Sequence, residues 1–319
     1  MMLSRVVDSL YWMSRYLERT EHTARMLDVH LNLMLDIEPG ILRQQRMNRL
    51  LEGMLITDDV PEDITEVDLL EWLTFDAQNP LSIISKITGA RENARQVREQ
   101  ISSEMWTQIN KLYLYIKNCD INEWRESPHD LYLEIKEGAH LFQGITDATM
   151  NHNQGWHFIQ MGRYIERALS LLRLLTVHFN QTSLGDDAQR NIPTNIYFEL
   201  VATLKSVSAF EAYCKVYNPN LQPVRIVEFL LFNEHFPRSL RFCVDQTLIS
   251  LHSVADTTMR SKNSRLYRNA GRLQSKLSYD EIMDVDELHD YMETIKDQIF
   301  HVHGTLYDTF ITYSIESAL

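Results

Sequence analysis

Glutamate and arginine side chains recur in one short pattern at two places in the chain, and these residue types suit ion pairing or anion binding. The segment Arg15-Tyr16-Leu17-Glu18-Arg19 returns as Arg163-Tyr164-Ile165-Glu166-Arg167. A guanidinium group holds a carboxylate or a phosphate through two parallel hydrogen bonds. The two copies therefore indicate either a structural network of ion pairs or a site for an anionic ligand.

Helix geometry limits which of these charges can meet. At about 100° per residue, Arg15 and Glu18 fall on one stripe of the first helix, whereas Arg19 projects into an aromatic sector with Trp12 and Tyr16. Adjacent residues on a helix do not face each other, so Glu18 and Arg19 cannot pair with one another. The pattern allows Glu18 to pair locally with Arg15, and it requires Arg19 to have its partner elsewhere.

The second copy continues into residues 168–175, which are apolar nearly all round and typical of a buried helix. Charges beside such a helix must be paired, because removing one partner of a buried pair typically costs ~3–5 kcal/mol. A reciprocal arrangement satisfies both copies, with Glu18 bound to Arg167 and Glu166 bound to Arg19. In the alternative interpretation, Arg15, Arg163 and the two tyrosines Tyr16 and Tyr164 surround a carboxylate or phosphate ligand.

The two patterns belong to a longer duplication of the chain. Further matches link residues 67–82 to 224–239 and residues 130–149 to 290–309. Pro128 can open a helix, so we place the boundary in the polar stretch before it and expect repeats at 1–125 and 126–319. Helices are expected near 4–37, 41–55, 64–75, 80–118, 129–150, 155–180, 193–217, 222–232, 236–256, 262–277 and 286–316, with polar breaks at 58–63 and 182–187.

Composition narrows the class of protein. A chain of 319 residues buries roughly 75% of its unfolded surface, and its 10 glycines, 8 prolines and lack of strand-like alternation favour an all-α fold in one bundle-like unit. The net charge of -13 repels phosphate backbones, which argues against nucleic acid. Three widely spaced cysteines, no signal peptide and no long apolar run favour a soluble, cytoplasmic protein without membrane contact.

One stretch of the first half carries a charge pattern that the second half lacks. Arg91, Arg95 and Arg98 recur at helical spacing beside Glu92 and Asn93, whereas the corresponding residues 248–253 contain no charge except one histidine. The stretch could be a solvated face joined by ion pairs between Arg and Glu. Alternatively, it forms an anion site or a docking surface for a partner.

Sequence signals for metals and cofactors are weak. A helical di-iron site needs two Glu-x-x-His motifs, and only Glu137-Gly138-Ala139-His140 lies on a plausible helix. Neither a glycine-rich phosphate loop nor a nucleophile elbow is present, so we expect no metal and no cofactor. His30 and His178 occupy matching places in the two halves and are expected to be partnered core histidines.

The segments 11–21 and 155–168, with 90–95, 102–106, 146–150 and 236–240, resemble the alpha-E family, a tandemly duplicated all-helical domain named for its Glu-Arg motif. Ser14 and Thr20 stand where the first copy usually has Gly and Ala, and both are small enough for close helix contact. The resemblance implies a partner, a circularly permuted ATP-grasp ligase. Such proteins often accompany a transglutaminase-like protease and an N-terminal-nucleophile peptidase in bacterial peptide synthesis or modification.

We therefore expect a noncatalytic subunit or a substrate-presenting adaptor. The alternatives are an acyl or aminoacyl transferase that uses Arg15, Glu18, Arg163 and Glu166, and a small-molecule sensor. A transferase should open these groups onto a cleft with a perturbed titrating group. An adaptor should bury them and expose an apolar patch. A sensor should contain a deep pocket between the repeats.

Overall fold

The computed structural model describes residues 2–34, 41–54, 56, 60, 64–179, 194–258, 265–281 and 288–312. Within these residues the chain forms fourteen α-helices and no strand, which confirms the expected all-α class. In chain order they are α1 (Ser4–Met34), α2 (Ile41–Gly53), α3 (Glu66–Phe75), α4 (Ile83–Gln96), α5 (Ser103–Lys117), α6 (Ile121–Glu126), α7 (Pro128–Thr149), α8 (Gln154–Phe179), α9 (Thr194–Ser206), α10 (Phe210–Tyr217), α11 (Pro223–Phe232), α12 (Leu240–Thr258), α13 (Arg265–Tyr279) and α14 (Leu288–Phe310).

Capping residues explain why one predicted helix is two. The oxygen Oγ of Ser102 accepts the backbone N–H of Met105 at 3.1 Å, which begins α5 after a turn at 97–102. The continuous helix predicted for 80–118 is therefore wrong, and a break at 207–209 likewise divides the one predicted for 193–217. Pro128 occupies the first turn of α7 as predicted. The predicted helix ends at 37 and 316 lie outside the described residues. The predicted polar breaks at 58–63 and 182–187 also lie outside them, apart from Val60.

Helices α1 and α8 form the centre of the core. Helix α1 packs against α4, α7 and α8, and α8 also packs against α12 and α14. Leu10, Leu27 and Leu172 are fully buried, in keeping with the predicted burial of the second motif helix. The last helix reaches the first as expected, because Oη of Tyr307 donates to Oδ1 of Asp8 at 2.8 Å. No helix in the described part of the chain has the length and apolar character that a bilayer crossing requires.

The backbones of α1 and α8 approach closely at Gly162. A Cβ atom at this position would lie 2.4 Å from the carbonyl oxygen of Tyr11 and 3.2 Å from Cβ of Ser14. Only glycine fits so close to a neighbouring backbone, and the small Ser14 side chain opposite it preserves the contact. This close crossing brings the charged residues of each motif within reach of the other helix.

Replacing Gly162 with alanine should destabilise the protein by about 1–3 kcal/mol, because the added methyl group forces the two helices apart. Gly144 and Gly304 are matched controls, since a Cβ at either position meets nothing within 4 Å. Gly144→Ala and Gly304→Ala should instead stabilise their helices by about 0.5–1 kcal/mol. Urea unfolding of the three variants measures these changes, and equal effects at all three positions would contradict the close crossing.

Candidate functional site

Two buried carboxylates lie between α1 and α8, and each is bound by an arginine of the opposite helix. Nε of Arg167 donates to Oε1 of Glu18 at 2.6 Å, and Nε of Arg19 donates to Oε1 of Glu166 at 2.7 Å. The exposed fractions of Glu18 and Glu166 are 2% and 0%. The predicted reciprocal pairing is therefore confirmed. We call Arg15, Glu18, Arg19, Glu166 and Arg167 the Glu-Arg cluster.

Arg15 also crosses to α8, and within the described residues it does not form the local pair with Glu18 that helical spacing allows. Nε of Arg15 donates to Oε2 of Glu166 at 2.7 Å, which leaves one oxygen of Glu166 for each of Arg15 and Arg19. Burial by itself raises the pKa of the Glu166 carboxyl, but Arg15 and Arg19 outweigh burial and lower this pKa to about 2. Glu166 is thus a permanently ionised acceptor at neutral pH.

Aromatic side chains from α1 and α14 surround the guanidinium group of Arg15. The guanidinium carbon of Arg15 lies 4.6 Å from the ring centre of Trp12, a cation–π distance. Oη of Tyr11 lies 2.9 Å from Nδ1 of His303, whose ring stacks on Tyr11. Burial and the nearby Arg15 lower the pKa of His303 to about 4, so its ring is neutral at pH 7. These contacts attach α14 to the Glu-Arg cluster.

The carboxylate of Glu18 has a second cationic partner that sequence reasoning missed. Nη1 of Arg238, in the turn before α12, lies 3.2 Å from Oε1 of Glu18, and Nη2 lies 3.0 Å from Oε2 of Glu21. Gln143 on α7 donates to Oε2 of Glu18 at 3.2 Å. Comparison of the repeats could not find Arg238, because Leu81 occupies the corresponding position. The only signal was its place in segment 236–240, one of those that resemble the alpha-E family.

Arg163 does not repeat the role of Arg15. Nη1 of Arg163 lies 4.0 Å from Oδ2 of Asp147, and no hydrogen bond joins it to Glu18 within the described residues. The side chain is buried, and burial lowers its pKa. The structure therefore places Arg163 beside the cluster, where its carboxylate neighbour is Asp147 and not Glu18.

The two motif tyrosines pack against aromatic and cationic neighbours. The ring of Tyr16 lies 5.6 Å from that of Trp12, and the ring of Tyr164 lies 5.9 Å from that of Phe242. Each tyrosine ring also lies within cation–π distance of an arginine of its own motif. The guanidinium carbon of Arg19 is 5.7 Å from the ring centre of Tyr16. Their positions suit packing around the cluster.

The predicted basic stripe contacts α5 and forms an alternating series of cations and rings. The guanidinium carbon of Arg91 lies 4.6 Å from the Tyr113 ring centre and 5.7 Å from that of Trp106, and Arg98 lies 5.3 Å from Trp106. Nζ of Lys117 lies 5.6 Å from the Tyr113 ring centre. We call Arg98, Trp106, Arg91, Tyr113 and Lys117 the cation-aromatic ladder. Arg98 follows the end of α4, so it does not share the helical stripe that its spacing predicts.

The other residues of the stripe make local contacts. Nη2 of Arg95 lies 2.7 Å from Oε2 of Glu92, and Nη1 of Arg91 lies 3.1 Å from the other oxygen of Glu92. Nδ2 of Asn93 donates to the carbonyl oxygen of Gly89 at 2.8 Å. The Arg95 side chain remains 65% exposed, so it is accessible to a partner in spite of its ion pair.

Two cavities in the described part of the chain are lined by charged side chains. The one beside Glu18, His22, Arg167 and Arg238 is only large enough for a water molecule. A somewhat larger pocket of about 40 Å³ lies between α1, α2, α8 and α9. Its lining includes the charged or titratable side chains His30, Arg46, Arg49, His178 and Glu199. The Glu-Arg cluster is thus a closed ionic network, and the pocket is a separate feature.

His30, which we expected to be a partnered core histidine, is buried beside a carboxylate. Its Nε2 atom lies 3.3 Å from Oε1 of Glu66 on α3. Burial lowers the pKa of His178 to about 4, so its ring is neutral at pH 7. Both histidines help to shape the pocket wall.

Replacing Glu166 with glutamine should destabilise the protein by ~3–5 kcal/mol, because the buried Arg15 and the partly exposed Arg19 both lose their carboxylate. Glu92 is a matched control, since it too is shared by two arginines but is 38% exposed. Glu92→Gln should cost under ~1 kcal/mol. Urea unfolding at pH 7 compares the two variants, and similar losses would contradict a structural role for burial of the cluster.

Acid should weaken the folded state through Glu166. The pKa of Glu166 is about 2 in the folded protein, below its ordinary value of 4.5. Its contribution to stability is therefore complete above pH 4.5 and is lost as the pH falls from 4.5 towards 2. The free energy of unfolding of Glu166→Gln should fall less steeply than that of the wild type over this interval. Parallel pH profiles would refute the assignment.

Comparison with known proteins identifies the family of the chain. Residues 2–311 match the Alpha-E family, described as a predicted alpha-helical domain with a conserved ER motif. Uncharacterized proteins of Mycobacterium bovis and Mycobacterium tuberculosis are 23% identical over 282 residues, which cover 82% of this chain. The chain spans 31% of the length of these curated relatives. No solved structure matches. Since the family match covers nearly the whole chain, the protein belongs to the Alpha-E family.

Proposed function

We propose that the protein is a noncatalytic helical subunit or substrate-presenting adaptor in a bacterial system for ATP-dependent peptide synthesis or modification. The observation that carries this proposal is the state of the Glu-Arg cluster. Both carboxylates are buried and are bound by the chain's own arginines. Groups held in this way stabilise helix register and are poorly placed to act on a substrate. The ATP requirement of such a system favours the cytoplasm.

The proposed architecture is a pair of pseudo-symmetric repeats, at residues 1–125 and 126–319. The reciprocal pairs of Glu18 with Arg167 and Glu166 with Arg19 support it, because exchange of the two motifs converts each of these two pairs into the other. The small residues Ser14 and Gly162, which hold matching places in the motifs, face each other at the close crossing. In this proposal one helix of each repeat completes the core of the other.

The proposed docking surface is the cation-aromatic ladder with the neighbouring Arg95. The protein carries a net charge of -13, so a cluster of four cations stands out against the rest of its surface. Arginines and large rings supply much of the binding energy in protein interfaces. Large exposed apolar side chains occur on many helices, including α3, α5, α7, α9, α10 and α12.

The proposed partner is a circularly permuted ATP-grasp ligase, which would meet the ladder with an acidic segment. The alpha-E resemblance supports this choice of partner, and charge complementarity supports the acidic segment. The mycobacterial relatives contain the matching region in a longer chain, which supports a module that works beside other domains. A transglutaminase-like protein and an N-terminal-nucleophile peptidase are proposed further members of the system.

A small-molecule sensor is the second candidate. Its candidate site is the pocket between α1, α2, α8 and α9, because the lining includes His30 and His178, but the volume of about 40 Å³ holds only a few water molecules until the helices move apart. A transferase that uses Arg15, Glu18 and Glu166 has less support, since all three are buried and engaged in ion pairs.

Co-purification from the native bacterium with and without ATP should recover an ATP-grasp protein in stoichiometric amount, as identified by mass spectrometry. Charge reversal at Arg98 should lower the affinity of that complex at least about tenfold, because an acidic segment then meets a repelling side chain. Arg272→Glu is the matched control, since Arg272 is an exposed arginine on α13. It should leave the affinity unchanged.

Thermal melts of Arg98→Glu and Arg272→Glu should match that of the wild type, which separates binding from folding. Equal loss of affinity in the two variants would contradict the proposed docking surface. Recovery of the chain alone with a bound small molecule would favour the sensor over the adaptor.

A further inference from the structure

Positive charge is in excess around Glu166, and Lys86 on α4 is one source of it. The Lys86 side chain is buried, and its Nζ atom donates to Oγ1 of Thr23 at 2.7 Å. Thr23 lies one turn after Arg19 on the same face of α1. Within the described residues, no carboxylate forms an ion pair with Lys86. The amine therefore has a hydroxyl partner and no counter-charge.

Arg173 is the second source. It follows Glu166 by two helical turns and lies on nearly the same face of α8. The side chain is largely buried, and burial lowers its pKa. In the part of the chain that the structure describes, Arg173 forms neither a hydrogen bond nor an ion pair. The charge of Arg173 interacts electrostatically with those of Glu166 and Arg19.

The charges of this group do not balance. Glu166 is the carboxylate that faces Arg15, Arg19, Lys86 and Arg173, and Arg15 and Arg19 already occupy its two oxygens. Burial, assisted by Arg19 and Arg173, lowers the pKa of Lys86 to about 7, the response of an amine in a site that is already positive. A surplus of buried positive charge is costly unless an anion compensates it.

At the matching position on α1, the arginine has a carboxylate as its counter-charge. Under the repeat alignment, Arg25 corresponds to Arg173, and Arg25 forms an ion pair with Glu21 one turn earlier. Leu169 stands on α8 where Glu21 stands on α1. Arg173 therefore lacks a counter-charge because its own helix does not supply one.

We propose that Arg19, Lys86 and Arg173 form a binding site for a dianionic oxyanion between α1, α4 and α8. Two guanidinium groups and an amine are the donors that bind phosphate and carboxylate oxygens in proteins. Two surplus positive charges, or three when Lys86 is protonated, match a dianion. Arg19 remains 27% exposed, so solvent reaches this member of the group. This site is independent of the proposed docking surface.

Binding should draw a proton onto Lys86. The charged groups that face it are Arg19 from α1 and Glu166 and Arg173 from α8. An anion beside the amine favours its charged form, so near pH 8 the protein should take up part of a proton when the anion binds. Calorimetry in buffers with different ionisation enthalpies measures this uptake. A surface-bound ion would not produce it, and Lys86→Met should remove it.

The test uses inorganic phosphate and malonate, each compared with chloride at equal ionic strength. We expect either oxyanion to raise the melting temperature by about 3 °C or more relative to chloride, since a ligand that binds only the folded state stabilises it. A larger effect of phosphate would identify a phosphate ligand, and a larger effect of malonate would identify a dicarboxylate. Equal melting in all three salts would overturn the proposal.

Arg173→Leu and Arg25→Leu are matched variants. Arg173→Leu should melt at or above the wild-type temperature in chloride, because it removes an uncompensated buried charge, and it should lose the response to oxyanions. Arg25→Leu should keep that response. A full oxyanion response in Arg173→Leu, or strong destabilisation of both Arg173→Leu and Lys86→Met in chloride, would contradict the site.

Discussion

The structure depends on the burial of two carboxylates between the same pair of helices. Glu18 and Glu166 are each bound by an arginine of the opposite helix, at 2.6 and 2.7 Å. A shift of α1 along α8 by one turn would separate both pairs and leave buried charges without partners. Apolar contacts alone tolerate such shifts far better. The ion pairs therefore specify one register for the central helices.

The outer helices are attached to this centre through polar contacts as well as apolar packing. Arg238 joins the turn before α12 to Glu18, Gln143 joins α7 to the same carboxylate, and His303 joins α14 to Tyr11. Lys86 brings α4 to Thr23. Because elements distant in sequence meet at one ionic network, local loss of a partner should be felt by several helices.

Much of this centre could be predicted from the sequence. A duplicated motif with one carboxylate and several arginines has a simple symmetric solution, and the pairs of Glu18 with Arg167 and Glu166 with Arg19 follow it. The partner of Arg15 could not be predicted, because a helical wheel gives the direction of a side chain and not the element that it meets. Asymmetric contributions such as Arg238 were missed for a different reason, since a repeat comparison finds only what both halves share. The break between α4 and α5 could have been predicted from the sequence, because Ser102 is a good N-cap that begins the second helix.

The central claim is that Glu18 and Arg167 stabilise the fold as a coupled buried pair. A double-mutant cycle with Glu18→Gln, Arg167→Met and the double variant, followed by urea unfolding at pH 7, tests it most directly. We predict a coupling free energy of at least ~1.5 kcal/mol, because the second substitution removes a charge that the first has already left unpaired. Additive losses within ~0.5 kcal/mol would show that the two residues stabilise the protein independently and would contradict the account.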